Sequence, residues 1–324
     1  MNPLVSIGVP IYNVESYIER CARSLFEQTY TNIEYVFIDD NSPDHSIEIL
    51  KTTLEDYPDR IQQVKIIRES VNIGLSAVRN KAVSMMSGEF VIWVDSDDFV
   101  ELDMTEKLIN AQRKNDADIV TCNTVVHLPK GKTYTMFSPI YTTPKEMTLQ
   151  LLREKKVPVS VWARLIRLCL YVDNAIQPIE GINNAEDYQQ MPRLTFYAQK
   201  VYSINDALYH YNCTNINSYT ATYSPKLAEQ VMLSVNLLES FFQNKDIEYI
   251  DALNFSKAEI YVRDMVKCCR FGYKEHYCLA REKIGEMDRK YFVELPFPFK
   301  ILLKLSNYYI AMIYVKLASL FKKR

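Results

Sequence analysis

The sequence predicts an α/β protein, with a mainly parallel sheet flanked by helices over the first two-thirds and a helical region after it. Short apolar strands alternate with helix-period segments, the pattern of a parallel sheet covered on both faces. Polar clusters stand directly after several of those strands, where open α/β sheets hold ligands. From Ser224 onward the pattern turns helical, with no Gly between Tyr219 and Arg270.

The elements follow in order. Leu4–Val9 is a short β-type run ending at Pro10, and Asn13 caps a predicted helix with apolar residues at Val14, Tyr17, Ile18, Cys21 and Leu25. Glu34–Ile38 is a second strand, ending in Asp39-Asp40; Ser42-Pro43 then reads as a cap and first helical position for a helix to Leu54. Gln63–Arg68 is a third strand, Asn72-Ile73-Gly74 a turn, and Ser76–Met86 a helix. Phe90–Val94, the fourth strand, runs into Asp95-Ser96-Asp97-Asp98. Further on come a strand at Asp118–Val126, a hairpin arm at Lys130–Phe137 and an apolar segment with two arginines at Val161–Val172. A helix beginning at Glu186-Asp187 and a strand at Lys200–Asn212 follow. A boundary near Thr220–Ser224 divides an α/β region, 1–220, from a helical region, 221–324.

Composition narrows the function classes. The 324 residues are 48% hydrophobic and 24% charged with a formal net charge of −2, a globular balance without the basic excess of a nucleic-acid binder. Seven cysteines contain no CxxC pair, which argues against a zinc site and fits a reducing cytoplasm. The N-terminus lacks the pattern of a signal peptide, and no apolar run reaches the ~20 residues of a membrane span.

Three carboxylates within four positions after a buried strand need a reason, because close like charges repel and desolvate badly. A hard divalent cation held by Asp95 and Asp97 is one; a solvated acidic turn or helix cap is the other. Asp39-Asp40 would accept from a base N–H or a ribose hydroxyl, or simply form a turn into the Ser42 cap. Pro10-Ile11-Tyr12-Asn13 offers a backbone edge and an aromatic face, or only a strand exit. Arg79, one turn into a helix, would reach a phosphate or brace the acids, or sit as an ordinary surface arginine. Neither GxGxxG nor GxxxxGK[ST] occurs.

Taken in order, "VSIGVPIYNVESYIERCARSLFEQTYTNIEYVFIDDNSPD", "NIGLSAVRNKA", "GEFVIWVDSDD", "VWARLIR" and "GINNAEDYQQMPRL" resemble the family-2 inverting glycosyltransferases of the GT-A fold, bacterial surface-polysaccharide type. The resemblance runs from Val5 to Ser218, and it implies that 1–220 is a catalytic domain with a nucleotide-binding half at about 1–100 and an acceptor half at about 101–220. It implies transfer of a sugar from a nucleotide-sugar, most often a UDP-sugar, to a hydroxyl of a glycan or lipid-linked acceptor. Pro10, Ile11, Tyr12, Asn13, Asp39, Asp40, Asn72, Gly74, Arg79, Ser96 and Asp98 are then the candidate donor contacts. Asp95 and Asp97 become the DxD ligands of Mn²⁺ or Mg²⁺, and Asp187 the general base. A helix-start acid stabilised by the helix dipole is the plain account of Asp187, and a non-catalytic nucleotide- or carbohydrate-binding module on the same fold is the alternative function.

Two segments depart from the family pattern. Asn212 stands where a basic residue is common, and Ala163-Arg164 replaces a frequent Asn-Lys pair. His210 approaches the diphosphate or is merely packed. At the C-terminus, Lys300, Lys304, Asn307 and Ala311 share one face of a predicted helix, and Lys322-Lys323-Arg324 closes the chain. Segment 297–324 thus reads as a peripheral contact with the inner face of the cytoplasmic membrane, or as a helix packed on the catalytic region or in a homodimer.

Overall fold

The computed structural model describes residues 2–153, 159–215, 224–305 and 307–321. Most of the expected boundary at Thr220–Ser224, and the terminal Lys322-Lys323-Arg324, lie outside the described residues. The chain divides into two units, Met1–Leu151 with Lys156–Ser218, and Leu152–Lys155 with Tyr219–Arg324.

The first unit is built on one nine-stranded sheet. Strands β1 (Val5–Ile11), β2 (Ile33–Asp39), β3 (Val64–Arg68) and β4 (Phe90–Trp93) are parallel in the order β3-β2-β1-β4. They bring Ile11, Asp39 and Trp93 to one edge. The sheet continues through β8 (Arg164–Arg167), β6 (Ile119–Leu128), β9 (Val201–Asn212) and the two-residue β5 (Phe99–Val100), while β7 (Lys132–Met136) pairs with β6. β8 runs antiparallel between β4 and β6, so the sheet is mixed where the second half joins the first.

Period-two burial explains the two layers. Val5, Ile7, Val9 and Ile11 of β1 face one core with Tyr35 and Phe37, closed by helices α1 (Ile18–Phe26), α2 (Ser46–Glu55) and α4 (Met104–Asn115). Val36, Ile38, Val91 and Trp93 face the other, closed by α3 (Leu75–Met85), α5 (Pro144–Arg153) and α7 (Glu186–Tyr197). The one-turn α6 (Cys169–Val172) completes that second layer. Gly8 lets the second layer pack closely on β1, since a Cβ there would lie 2.6 Å from Met86 and Trp93.

Two helix starts differ from expectation. α1 begins at Ile18, not at Asn13, because Asn13 is in the left-handed region (φ 55°) and a separate turn intervenes, with Val14 O accepting from Tyr17 N and Ile18 N. α2 begins at Ser46, not at Ser42-Pro43. Ser42 Oγ accepts from Asn13 N at 3.1 Å, and Asp44 instead takes Ser46 N at 3.2 Å.

The second unit is helical: α8 (Pro225–Phe242), α9 (Ile247–Phe271), α10 (Lys274–Gly285), α11 (Phe297–Lys304) and α12 (Tyr308–Phe321). Val262, Met265, Cys268 and Cys269 of α9 form its core with Tyr277, Leu302, Tyr308, Ala311 and Val315. The single C-terminal helix expected from the sequence is two helices. α11 stops at Leu305, whose backbone is extended, and Asn307 restarts the chain by accepting Tyr309 N at 2.9 Å and Ile310 N at 3.3 Å. Ala311 therefore packs inward and does not share an exposed face with Lys300 and Lys304. Among the described residues, no helix is long and apolar enough to cross a membrane.

Candidate active site

At the rim, β1 leaves the sheet at Pro10-Ile11, in register with Ile38-Asp39, and Asp40 N donates to Ile11 O at 2.9 Å. Tyr12 is exposed there. Asp39 is fully buried. Its Oδ1 accepts from Ser42 N at 2.8 Å, whereas Oδ2 lies 3.1 Å from Arg68 Nε without an aligned hydrogen bond. A buried carboxylate oxygen held this way is an acceptor suited to an incoming N–H or O–H donor.

Asp40 is turned to a different task. Its two oxygens accept from Ile73 N at 2.6 Å and Gly74 N at 2.9 Å, and so build the turn that carries the exposed Asn72. Burial raises the Asp40 pKa, and the two backbone donors oppose that rise. Gly74 has φ 86°, and a Cβ would fall 2.4 Å from Asn183 Nδ2, so the turn tolerates only glycine.

The turn launches α3 and so places Arg79, whose side chain is 2% exposed. One guanidinium nitrogen donates to Glu186 Oε1 at 2.9 Å and also to Asp187 Oδ1; the other donates to Asp95 Oδ1 at 3.1 Å. Residues far apart in sequence, from α3, the end of β4 and the first turn of α7, thus share one cation. Burial alone would lower the Arg79 pKa, but the charges of Asp187, Glu186 and Asp95 raise it. Burial and the neighbouring Asp187 push Glu186 up to about 8, with Arg79 opposing. Asp187 is raised by burial and lowered by Arg79. Its side chain is 19% exposed and its Oδ2 accepts from Val161 N at 3.2 Å, so it is the more accessible of the pair.

Strand-end carboxylates clustered over a parallel sheet fix the kind of site but not the reaction, and comparison with known proteins decides the family. The profile described as "Glycosyl transferase family 2" matches residues 6–168. The chain belongs to glycosyl transferase family 2. It is 34% identical to the putative glycosyltransferase EpsH of Bacillus subtilis (strain 168) over 256 residues, 76% of this chain and 72% of that one. Among solved structures, S. aureus TarS 1-349 in complex with UDP-GlcNAc is similar with a TM-score of 0.62 at 18% identity, covering 86% of this chain and 90% of that one. The mannosyltransferase PcManGT from Pyrobaculum calidifontis, in complex with GDP-Man and Mn²⁺, has a TM-score of 0.57 at 14% identity and covers 100% and 89%. These structural likenesses establish a GT-A fold, and the sequence relatives establish a glycosyltransferase.

In this glycosyltransferase the four-residue acidic turn is gripped from β9. Asp98 is buried, with Oδ2 accepting from Tyr209 Oη at 2.6 Å and Oδ1 from Asn212 N at 2.7 Å. Burial, then Asp97 and Asp95, raise its pKa strongly, and the Tyr209 and Asn212 donors oppose the rise. Tyr209 Oη also accepts from Asp95 N at 3.1 Å. Asp97 is partly exposed; its Oδ2 accepts from Asn215 Nδ2 at 2.8 Å, and burial followed by the Asp95 charge raises its pKa. Ser96 is buried in the turn. The turn therefore offers Asp95 and Asp97 outward while Asp98 anchors it.

The departures from the family pattern find roles here. Asn212 Nδ2 donates to Asp97 O at 3.2 Å while its Oδ1 accepts from Thr214, so it braces the turn where a basic residue is common. Arg164 folds back on its own loop, donating to Ser160 and Trp162 O, and Ala163 adopts φ 57°. His210 is occupied on both ring nitrogens, by His127 Nε2 at 2.9 Å and Glu101 Oε1 at 2.8 Å, and stacks on Phe99. Sequence reasoning missed Tyr209, Asn212 and Asn215 as the grip on the acidic turn, and Trp162 as the ring stacked on Tyr209 and Tyr211. The run of aromatics Tyr209–Tyr211 was the visible signal.

Proposed function

We propose that this glycosyltransferase moves a sugar, with inversion, from a nucleotide-sugar, a UDP-sugar first, to a hydroxyl of a glycan or lipid-linked acceptor in surface-polysaccharide synthesis. The observation that carries the proposal is the Arg79 cluster, which sets the first acid of the DxD beside the Glu186-Asp187 pair at one rim. The relatives solved with UDP-GlcNAc, and with GDP-Man and Mn²⁺, support a nucleotide-sugar donor and a metal-assisted reaction.

Asp95 and Asp97 suit a hard divalent ion. Two carboxylates leave one turn together, burial and Asp95 raise the Asp97 pKa, and a cation held by only two acids keeps positions for water and phosphate oxygens. Mn²⁺ or Mg²⁺ bound there would supply Lewis-acid stabilisation of the charge growing on the diphosphate leaving group. The protein's own residues do the rest. Asp39 and the Pro10–Asn13 exit receive the nucleoside, and the Asp40-held turn presents Asn72 and Gly74 beside it. Asp187 takes the proton of the attacking hydroxyl through its accessible carboxylate. Burial raises its basicity, and Arg79 keeps it oriented and ionised. A lipid-linked acceptor would place the enzyme peripherally on the inner face of the cytoplasmic membrane.

A thermal-shift screen of nucleotide-sugars with Mn²⁺ identifies the donor through linkage. With that donor, Asp187→Asn is expected to lower transfer, or UDP release without acceptor, by about 10² or more while leaving UDP affinity unchanged. A variant that turns over at the wild-type rate would show that Asp187 is not the base.

A further inference from the structure

The outward face of α12 is apolar, although helices of globular proteins normally present polar residues to solvent. Tyr308, Ala311 and Val315 pack into the core of the helical unit. On the opposite side Tyr309, Ile310 and Ile313 are each 56% exposed and Leu317 is 52% exposed. These four recur at helical spacing and form one stripe. Lys316 is exposed on its flank, and Lys274 Nζ lies 5.2 Å from the Tyr309 ring centroid on the side of α10. At the far end of α11, Phe297 is 74% exposed next to Pro298, whose carbonyl accepts from Tyr314 Oη at 3.1 Å.

Charge in this part of the chain is one-sided. Residues 295–324 contain six Lys or Arg and no Asp or Glu, within a chain whose formal net charge is −2. Lys304 is exposed, while Lys300 Nζ is held by Val293 O at 2.6 Å.

We propose that the Tyr309-Ile310-Ile313-Leu317 face of α12 docks on an anionic lipid bilayer. The four side chains insert at the headgroup boundary, and Lys304, Lys316 and Lys274 meet lipid phosphates around them. Three observations select this occupant. The helix has 14 residues, about 21 Å at 1.5 Å per residue, too short to cross a hydrocarbon core of about 30 Å and long enough to lie in its interface. Tyr309 pairs an apolar ring with a polar tip beside a lysine, the combination favoured at membrane surfaces. A second copy docked here by two-fold symmetry would set this acid-free, cation-bearing segment against itself. The face also differs from the one the sequence alone suggests, because the Asn307 restart turns Ala311 inward and Ile313 and Leu317 outward. The inference deepens the peripheral placement proposed above but does not depend on the donor or the metal.

The test is co-sedimentation of the full chain with phosphatidylcholine vesicles, with and without phosphatidylglycerol, in the absence of any nucleotide. Wild type is expected to partition onto the anionic vesicles, weakly onto phosphatidylcholine alone, and to be released as salt rises. Ile313→Glu with Leu317→Glu should lower binding to anionic vesicles about tenfold or more, with an unchanged melting profile. Wild-type-like binding by the doubly substituted protein would overturn the proposal. So would equal binding to both vesicle types, or a wild-type dimer in sedimentation that the substitutions dissociate, which would assign the face to a second copy. Because no donor is present, a failure here leaves the sugar-transfer proposal standing, and loss of UDP binding leaves this one standing.

Discussion

Arg79→Met tests how the acidic rim is held. Met keeps an unbranched apolar stem but is shorter and uncharged, so Asp95, Glu186 and Asp187 lose their shared partner at once. Removing one partner of a buried ion pair costs about 3–5 kcal/mol. Here the three carboxylate side chains are 28%, 11% and 19% exposed, and Glu186 can take up a proton. Both relieve part of the loss, so the expected cost is about 3 kcal/mol at pH 8. The pH dependence has a definite sign. Glu186 is raised in the fold to about 8, so its contribution is fully present below its unfolded value and is lost as pH rises through about 8. Asp187 is raised too, and its contribution fades in the same direction. On acidification the acids become neutral and need Arg79 less. The cost of Arg79→Met should therefore shrink by about 1 kcal/mol or more near pH 5.5. Urea unfolding followed by tryptophan fluorescence at the two pH values reads both numbers, with Arg79→Lys as a control that keeps the charge. A cost under about 1 kcal/mol at pH 8, or one that grows on acidification, would refute the clamp.

Two further predictions follow from the grip on the acidic turn and from the histidine pair. Tyr209→Phe removes the hydroxyl that joins Asp95 N to Asp98, and should cost about 1–3 kcal/mol in urea unfolding and weaken Mn²⁺-dependent UDP binding, since the turn carrying Asp95 and Asp97 loosens. His127 is lowered in pKa by burial, then by His210 and Arg20, so its contribution is present above the unfolded value of about 6.5 and is lost as pH falls through the lowered one. His127→Phe should flatten the acid limb of a melting-temperature profile below about pH 6.5, and an unchanged limb would show that His127 does not contribute there.

The parts of this architecture that follow from periodicity were legible in the sequence. The first four strands and α3 fall within a residue or two of expectation, because continuous apolar runs have few alternatives in a parallel sheet. Positions set by backbone conformation were less so. Asn13 looks like a helix cap, yet its left-handed backbone and bond to Ser42 delay α1 to Ile18. Asn307 looks like a polar interruption within a helix, yet it starts a new one.

At the site, residue type and strand-end placement located the rim, but the direction of each side chain came from partners distant in sequence. Nothing near Asp40 marks it as the support of Ile73 and Gly74, and nothing near Asp98 points to Tyr209. Arg79 was visible as a cation one turn into a helix. Its three acids became partners only once α3, β4 and α7 converged. β8 was missed as an antiparallel insertion because its four-residue run, Arg164–Arg167, is too short to show direction or neighbour.

Titration of UDP into the wild-type protein, with Mn²⁺ and with a chelator, followed by Asp97→Ala, tests most directly whether this rim is a metal-assisted nucleotide-sugar site. Binding is expected to need the divalent ion and to be abolished by the substitution, with the fold intact by its melting profile. Equal UDP affinity in the chelator, or in Asp97→Ala with Mn²⁺, would contradict it.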